Sequence, residues 1–238
     1  MHSLRWFLLG LTFLGLAGCT KAPEVAASRP QPSEELKPSA PALGNSDERS
    51  TRPVILAFGD SLSEGLGVAA GSNFPDLLQK KLDKAGYEYR VVNLGVSGDT
   101  TTGGLNRMQY ALSMKPAVVI LELGGNDGLR GVPVSSTKAN LEKMIVQFQD
   151  AGASVLLAGM TLPPNYGPAY IREFEAAYKD LASRYKLQLI PFLMQDIASQ
   201  LESRPGLMQR DGIHPTAEGH SVIAETVFRY LRPLISRS

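Results

Sequence analysis

Four short blocks follow one another along the chain: Gly59-Asp60-Ser61-Leu62, Ser97-Gly98-Asp99-Thr100, Gly124-Gly125-Asn126-Asp127 and Asp211-Gly212-Ile213-His214-Pro215. Between them they hold a hydroxyl, glycine-rich turns, a carboxamide, and an imidazole three residues after a carboxylate. Those are the groups that acyl transfer through a serine requires. A serine hydroxyl becomes an effective nucleophile only when a base takes its proton. The chain has three histidines, His2, His214 and His220. His2 falls in a predicted leader, and His220 falls inside a predicted helix, where it reads as a surface or packing side chain. His214 remains as the base. Asp211, held across a turn at Gly212, can meet its Nδ1–H, fix the tautomer and stabilise the imidazolium. Ser61 lies two residues past an apolar run, where a sharp turn can expose the hydroxyl and aim its own N–H at an oxyanion. Serines in such places also cap helices, and Ser63 is a competing hydroxyl. The Asn126 side chain offers a further oxyanion donor or, equally for a Gly-Asn-Asp sequence, an Asx turn. Asp60, Asp99 and Asp127 read as residues that hold their loops by hydrogen bonds.

In order and content, these four blocks resemble the SGNH (GDSL-type) hydrolases, and within them the thioesterase I, lysophospholipase and arylesterase branch. The resemblance spans roughly residues 53–232. It implies a three-layer α/β/α sandwich around a mainly five-stranded parallel sheet, flavodoxin-like in type. It places the nucleophile at Ser61 rather than Ser63, with Asp211 and His214 completing a triad. It implies an oxyanion hole built from the Ser61 N–H, the Gly98 N–H and the Asn126 side chain. The segment from Met160 to Gly167 resembles the family's substrate-side loop. Leu66, Leu123, Pro163, Asn165, Tyr166 and Ile213 are the candidate lining of an acyl groove, although the apolar ones would serve equally to pack the rim. The implied reaction needs no cofactor, and no His/Cys/Asp/Glu cluster has metal-ligand spacing.

The elements that must position these groups alternate. Apolar runs at 53–58, 89–94, 117–123, 154–158 and 187–191 read as strands, the first without polar interruption, as expected of a strand buried on both faces. Segments 73–85, 101–114, 135–150, 169–185 and 215–234 read as helices, with Gly86 and Gly152 after two of them. Pro215 is expected in the first turn of the last helix, where its missing N–H costs nothing. Strand–helix alternation implies a parallel sheet covered on both faces. Ligands of such sheets sit beyond the carboxyl ends of the strands. The first three blocks each follow a predicted strand, so they fall on one rim.

The chain has 238 residues, 43% of them hydrophobic, which suits one domain with a substantial core. Its net charge of +1, without a basic cluster interleaved with aromatics, argues against nucleic acid as a partner. The single cysteine, Cys19, excludes an internal disulfide. Arg5 precedes a short apolar run that ends Leu16-Ala17-Gly18-Cys19, which resembles the lipobox of bacterial lipoproteins. The run is shorter than the roughly 20 residues of a membrane span. The resemblance implies a signal peptide over 1–18, lipidation at Cys19, a Pro/Ala/Ser-rich disordered tether over 19–52 and a hydrolase domain over 53–238. It also implies a bacterial envelope location. Thr20, where an aspartate would signal inner-membrane retention, favours the outer membrane. The expected substrate is an ester, lysophospholipid or acyl thioester. A carbohydrate O-acetyl esterase and a binding module without turnover are the alternatives. Oligomeric state has no signature in the sequence.

Overall fold

The computed structural model describes residues 51–237. The predicted leader over 1–18, Cys19 and all but the last two residues of the 19–52 tether lie outside the described residues. Arg52, the last of that segment, pairs with Asp83 at 3.1 Å.

Five parallel strands form one sheet: β1 (Val54–Gly59), β2 (Arg90–Gly95), β3 (Val118–Glu122), β4 (Ser154–Ala158) and β5 (Gln188–Ile190), in the spatial order β2-β1-β3-β4-β5. All of β1 and β3 is buried, while the edge strands β2 and β5 are partly exposed. Uninterrupted apolar sequence is what a strand covered on both faces requires. The chain runs from β1 outward to β2 and then back across to β3. The order therefore reverses between β1 and β3, and the crevice beyond their carboxyl ends is the place where such sheets bind ligands.

The helices are α1 (Ser61–Glu64), α2 (Phe74–Lys84), α3 (Thr101–Asn106), α4 (Met108–Ser113), α5 (Gly125–Leu129), α6 (Val134–Asp150), α7 (Pro168–Arg184), α8 (Gln195–Ala198) and α9 (Ala217–Leu231). One layer pairs α2 with α9, and the other packs α6 between α3 and α7. Phe74, Leu78 and Leu82 recur at helical spacing along α2 and are fully buried. Asn73 caps this helix by accepting the Asp76 N–H at 2.8 Å. Edge-to-face contacts tie the layers together: Phe58 of β1 meets Phe148 of α6, and Tyr87 meets Phe228 of α9.

Two expectations need correction. Segment 101–114 is two helices, broken at Arg107 (φ −111°, ψ 12°). Arg107 is pulled inward: its Nε donates to Asp99 at 2.7 Å, and its guanidinium donates to the carbonyls of Leu94 (2.7 Å) and Gly59 (2.8 Å). It also lies 4.0 Å above the Phe58 ring. These bonds compete with a continuous helix. The last helix starts at Ala217, with Thr216 as its cap, so Pro215 lies outside it. Pro215 instead forms an isolated antiparallel bridge with Met208. At the other end Pro233 lacks the N–H that would continue the helix, and a 3₁₀ turn, Arg232–Leu234, follows.

Candidate active site

β1 stops at Gly59, and Asp60 turns the chain into the single helical turn of α1. Asp60, not Ser61, is the cap: its Oδ1 accepts the Leu62 N–H at 3.0 Å. Ser61 therefore begins α1, just past the carboxyl end of β1, and Gly65 closes the turn in the left-handed region. Ser61 Oγ lies 2.9 Å from His214 Nε2.

His214 comes from the loop before α9. Asp211 Oδ2 lies 2.7 Å from His214 Nδ1, while Asp211 Oδ1 accepts the N–H groups of Ile213 (2.9 Å) and His214 (3.0 Å). The backbone N–H of His214, then its ring, then the N–H of Ile213 hold the Asp211 carboxyl down at about 2. A carboxylate charged to that depth keeps the proton on Nδ1 and leaves Nε2 free to accept from Ser61. Gln209 braces this loop. Its N–H donates to the His214 carbonyl, and its side-chain amide donates to the carbonyls of Pro215 and Leu66, each at 2.8 Å. One side chain thus ties the imidazole loop to the segment that follows Ser61.

Asn126 stands in the first turn of α5, beyond β3. Gly124 before it has φ 111°, and a Cβ there would collide with the Tyr178 hydroxyl, so only glycine fits. Asn126 Nδ2 donates to Asp60 Oδ2 and to the Asp99 carbonyl, each at 3.0 Å. Gly98 lies in the exposed loop after β2, with φ 78°, and its carbonyl accepts from Arg130 at 2.9 Å. Asp127 is buried and accepts from the Thr101 N–H (2.8 Å) and hydroxyl (2.5 Å), joining α5 to α3. Ser63 is fully buried and bonded to Glu122, unlike Ser61 at the mouth of a cavity.

That cavity has a volume of about 390 Å³. Asp60, Ser61, Asn126 and His214 line one side of it. Leu129, Met160, Leu162, Pro163, Phe192, Met194 and Ile213 supply most of the remaining wall. Of the residues expected to line a groove, Pro163 and Ile213 do so. Leu123 does not: it is fully buried, in contact distance of any side chain placed at Gly104, and its carbonyl accepts the Tyr178 hydroxyl. Leu66 is exposed outside the cavity. Asn165 and Tyr166 lie in a 3₁₀ turn, Pro164–Tyr166, also outside it. The Tyr166 hydroxyl donates to the Leu129 carbonyl at 2.8 Å, so this side chain supports a wall residue from behind. Phe192 and Met194 escaped the sequence reading, although their place just after β5 follows the same strand-end logic as the motifs.

Behind Ser61 lies a buried acid that the sequence reading counted only as strand. Glu122 Oε2 accepts the Ser63 hydroxyl at 2.7 Å and the Asp60 N–H at 3.2 Å. Burial pushes the Asp60 carboxyl up to about 6 and Glu122 well above the usual carboxylate range. His220 is fully buried, and neither of its ring nitrogens has a hydrogen-bond partner among the described residues. It packs the interior and takes no part in the Ser61 chain. Among the described residues no group of three or more His, Cys, Asp or Glu side chains could hold a metal ion.

The chain is similar to known proteins. The GDSL-like Lipase/Acylhydrolase family matches residues 57–222. The chain is similar to the esterase TesA of Pseudomonas aeruginosa, with 42% identity over 189 residues, 79% of this chain and 92% of that protein. It is also similar to a thioesterase 1/protease 1/lysophospholipase of Escherichia coli, with 38% identity over 184 residues, 77% of this chain and 85% of that protein. Among solved structures, a crystal structure of TesA superimposes with a TM-score of 0.70 at 44% identity, covering 76% of this chain and 99% of that one.

Proposed function

The chain belongs to the GDSL-like lipase/acylhydrolase family and is a carboxylic ester hydrolase, and we propose that Ser61, His214 and Asp211 carry out its reaction through an acyl-enzyme. The observation that carries the assignment is the continuous chain of contacts, Ser61 Oγ to His214 Nε2 at 2.9 Å and His214 Nδ1 to Asp211 at 2.7 Å, opening on an apolar cavity. Ser61 attacks the ester carbonyl as its proton passes to His214. Asp211 stabilises the imidazolium. The Ser61 N–H, the Gly98 N–H and the Asn126 amide bind the oxyanion, the amide redirecting an N–H that Asp60 or the Asp99 carbonyl otherwise holds. The alcohol or thiol leaves with the proton from His214. Water then repeats the sequence, activated by the same imidazole, and releases the acid.

Because the wall is built from Leu129, Met160, Leu162, Phe192 and Met194, it favours the acyl chain of a lipid-like ester over an acetylated sugar. Each methylene buried there contributes about 0.8 kcal/mol, roughly a fourfold gain in kcat/KM per methylene until the cavity is full. The lipobox-like sequence at Cys19 supports a lipid-anchored enzyme of the bacterial envelope, on the periplasmic side and at the outer membrane, where lysophospholipid is at hand. The test is hydrolysis of p-nitrophenyl esters from acetyl to long acyl chains beside Ser61→Ala. The expected result is kcat/KM rising with chain length to a plateau, and turnover lost in the variant. Preference for acetyl would instead favour the carbohydrate esterase reading, and absence of turnover with every chain the binding module.

A further inference from the structure

Glu122 ends β3 as the only charged side chain of that strand, and it is fully buried. In the parallel register it stands beside Gly59. A Cβ at Gly59 would collide with Glu122 Oε2 and with Ser63 Oγ, so the glycine of the first block is the space into which this acid packs. Two residues of that turn are tied to it as well: the Asp60 N–H and the Ser63 hydroxyl both donate to Glu122 Oε2. Glu122 Oε1 has no N–H or O–H donor among the described residues. Burial, and after it the charge of the neighbouring Asp60, pushes the Glu122 carboxyl well above the usual carboxylate range. Two neighbouring buried acids resist being ionised together, so one of them keeps a proton. Asp60 accepts the Leu62 N–H and the Asn126 amide, which favours its charged form. The proton therefore belongs to Glu122.

We propose that Glu122 is a positioning residue: as a neutral acid filling the space beside Gly59, it accepts from the Asp60 N–H and the Ser63 hydroxyl, and so sets the Ser61 turn and, through Asp60, the Asn126 amide from behind. The inference rests on the assignment of Ser61 as nucleophile and Asn126 as oxyanion donor. Asp60 is the shared member. One of its carboxylate oxygens caps α1 and the other holds the Asn126 amide at 3.0 Å. A small rotation of that carboxylate would displace both groups at once, and misplacement on the order of 1 Å costs about 10²-fold in rate.

The test compares Glu122→Gln and Glu122→Ala with the wild type in the full chain. Glutamine keeps one donor and one acceptor in the same volume. We expect Glu122→Gln to hold kcat within about threefold of wild type, and Glu122→Ala to lower it by about 10- to 100-fold at a KM changed less than about twofold. At neutral pH the infrared spectrum of the wild type should show the carbonyl band of a protonated carboxyl, and Glu122→Gln should lack it. An unchanged band in Glu122→Gln, wild-type kcat in Glu122→Ala, or equal losses in both variants would overturn the proposal. Should Glu122→Ala fail to fold, Glu122→Gln and the band still decide it. Full turnover in Ser61→Ala would remove the site assignment and the positioning role with it. The band would survive that outcome, because it does not depend on turnover.

Discussion

Asn126 carries two loads in the resting site, and its mutation should show both. Its amide holds the Asp60 carboxylate and the Asp99 carbonyl, and during the reaction it is the proposed partner of the oxyanion. Removing one oxyanion donor costs about 10²–10³ in kcat. Asn126→Ala should therefore fall in that range with KM little changed, as measured with a short p-nitrophenyl ester. A loss confined to KM would contradict the role. Asp211, at about 2, stays ionised wherever His214 can act as a base. Ser61, Asp211 and His214 were legible in the sequence because each sits in a short block with its turn residues, and because elimination leaves one histidine. Glu122 was not, since its partners Asp60 and Ser63 lie about sixty positions away. The signal was a lone charge at the end of an otherwise apolar strand. Gln209 offered no signal at all, because it acts through carbonyls that only the folded chain brings near it.

The elements place these groups through a clamp that no local pattern revealed. Arg107 breaks the expected 101–114 helix as it binds the Gly59 carbonyl at the end of β1 and the Leu94 carbonyl near the end of β2 and pairs with Asp99. The pair is largely buried, with side-chain exposures of 19% and 11%. Truncating Arg107 strands the Asp99 carboxylate and removes two charged hydrogen bonds to backbone carbonyls. Arg107→Ala should thus destabilise the fold by about 2–4 kcal/mol, read by denaturant unfolding. Arg107→Lys should recover only part of the loss, because an ammonium cannot span three acceptors as the guanidinium fork does. Full recovery by lysine would contradict this account. Helical periodicity predicted one helix here because it registers apolar spacing and not a tertiary hydrogen bond. It succeeded for α2 and α6, whose apolar faces simply pack against their neighbours.

For the whole molecule, alternation of apolar runs and helical segments was enough to foresee the parallel sheet. The order β2-β1-β3-β4-β5 was not in that pattern, since local sequence does not say on which side of β1 a strand will dock. That order opens the crevice between β1 and β3 and sets Ser61 and Asn126 on either side of it. Stability has its own signature in His220, fully buried in α9 without ring partners. Burial lowers it from 6.5 to about 4. Between those values the unfolded chain binds a proton that the folded one refuses, so this contribution to stability is present above pH 6.5 and is lost as pH falls toward about 4. The loss is on the order of 3 kcal/mol. Asp60 and Glu122, raised by burial, act with the opposite sign, so the difference between wild type and His220→Leu isolates the histidine. The two stability curves should diverge in acid, and parallel curves would refute the assignment.

The account stands on Ser61 as the group that becomes acylated. Peptide mass mapping after reaction with an activated phosphonate ester tests this most directly. The adduct should lie on Ser61 alone and should be absent from Ser61→Ala and strongly slowed in His214→Ala. An adduct on Ser63, or turnover that persists in Ser61→Ala, would contradict it.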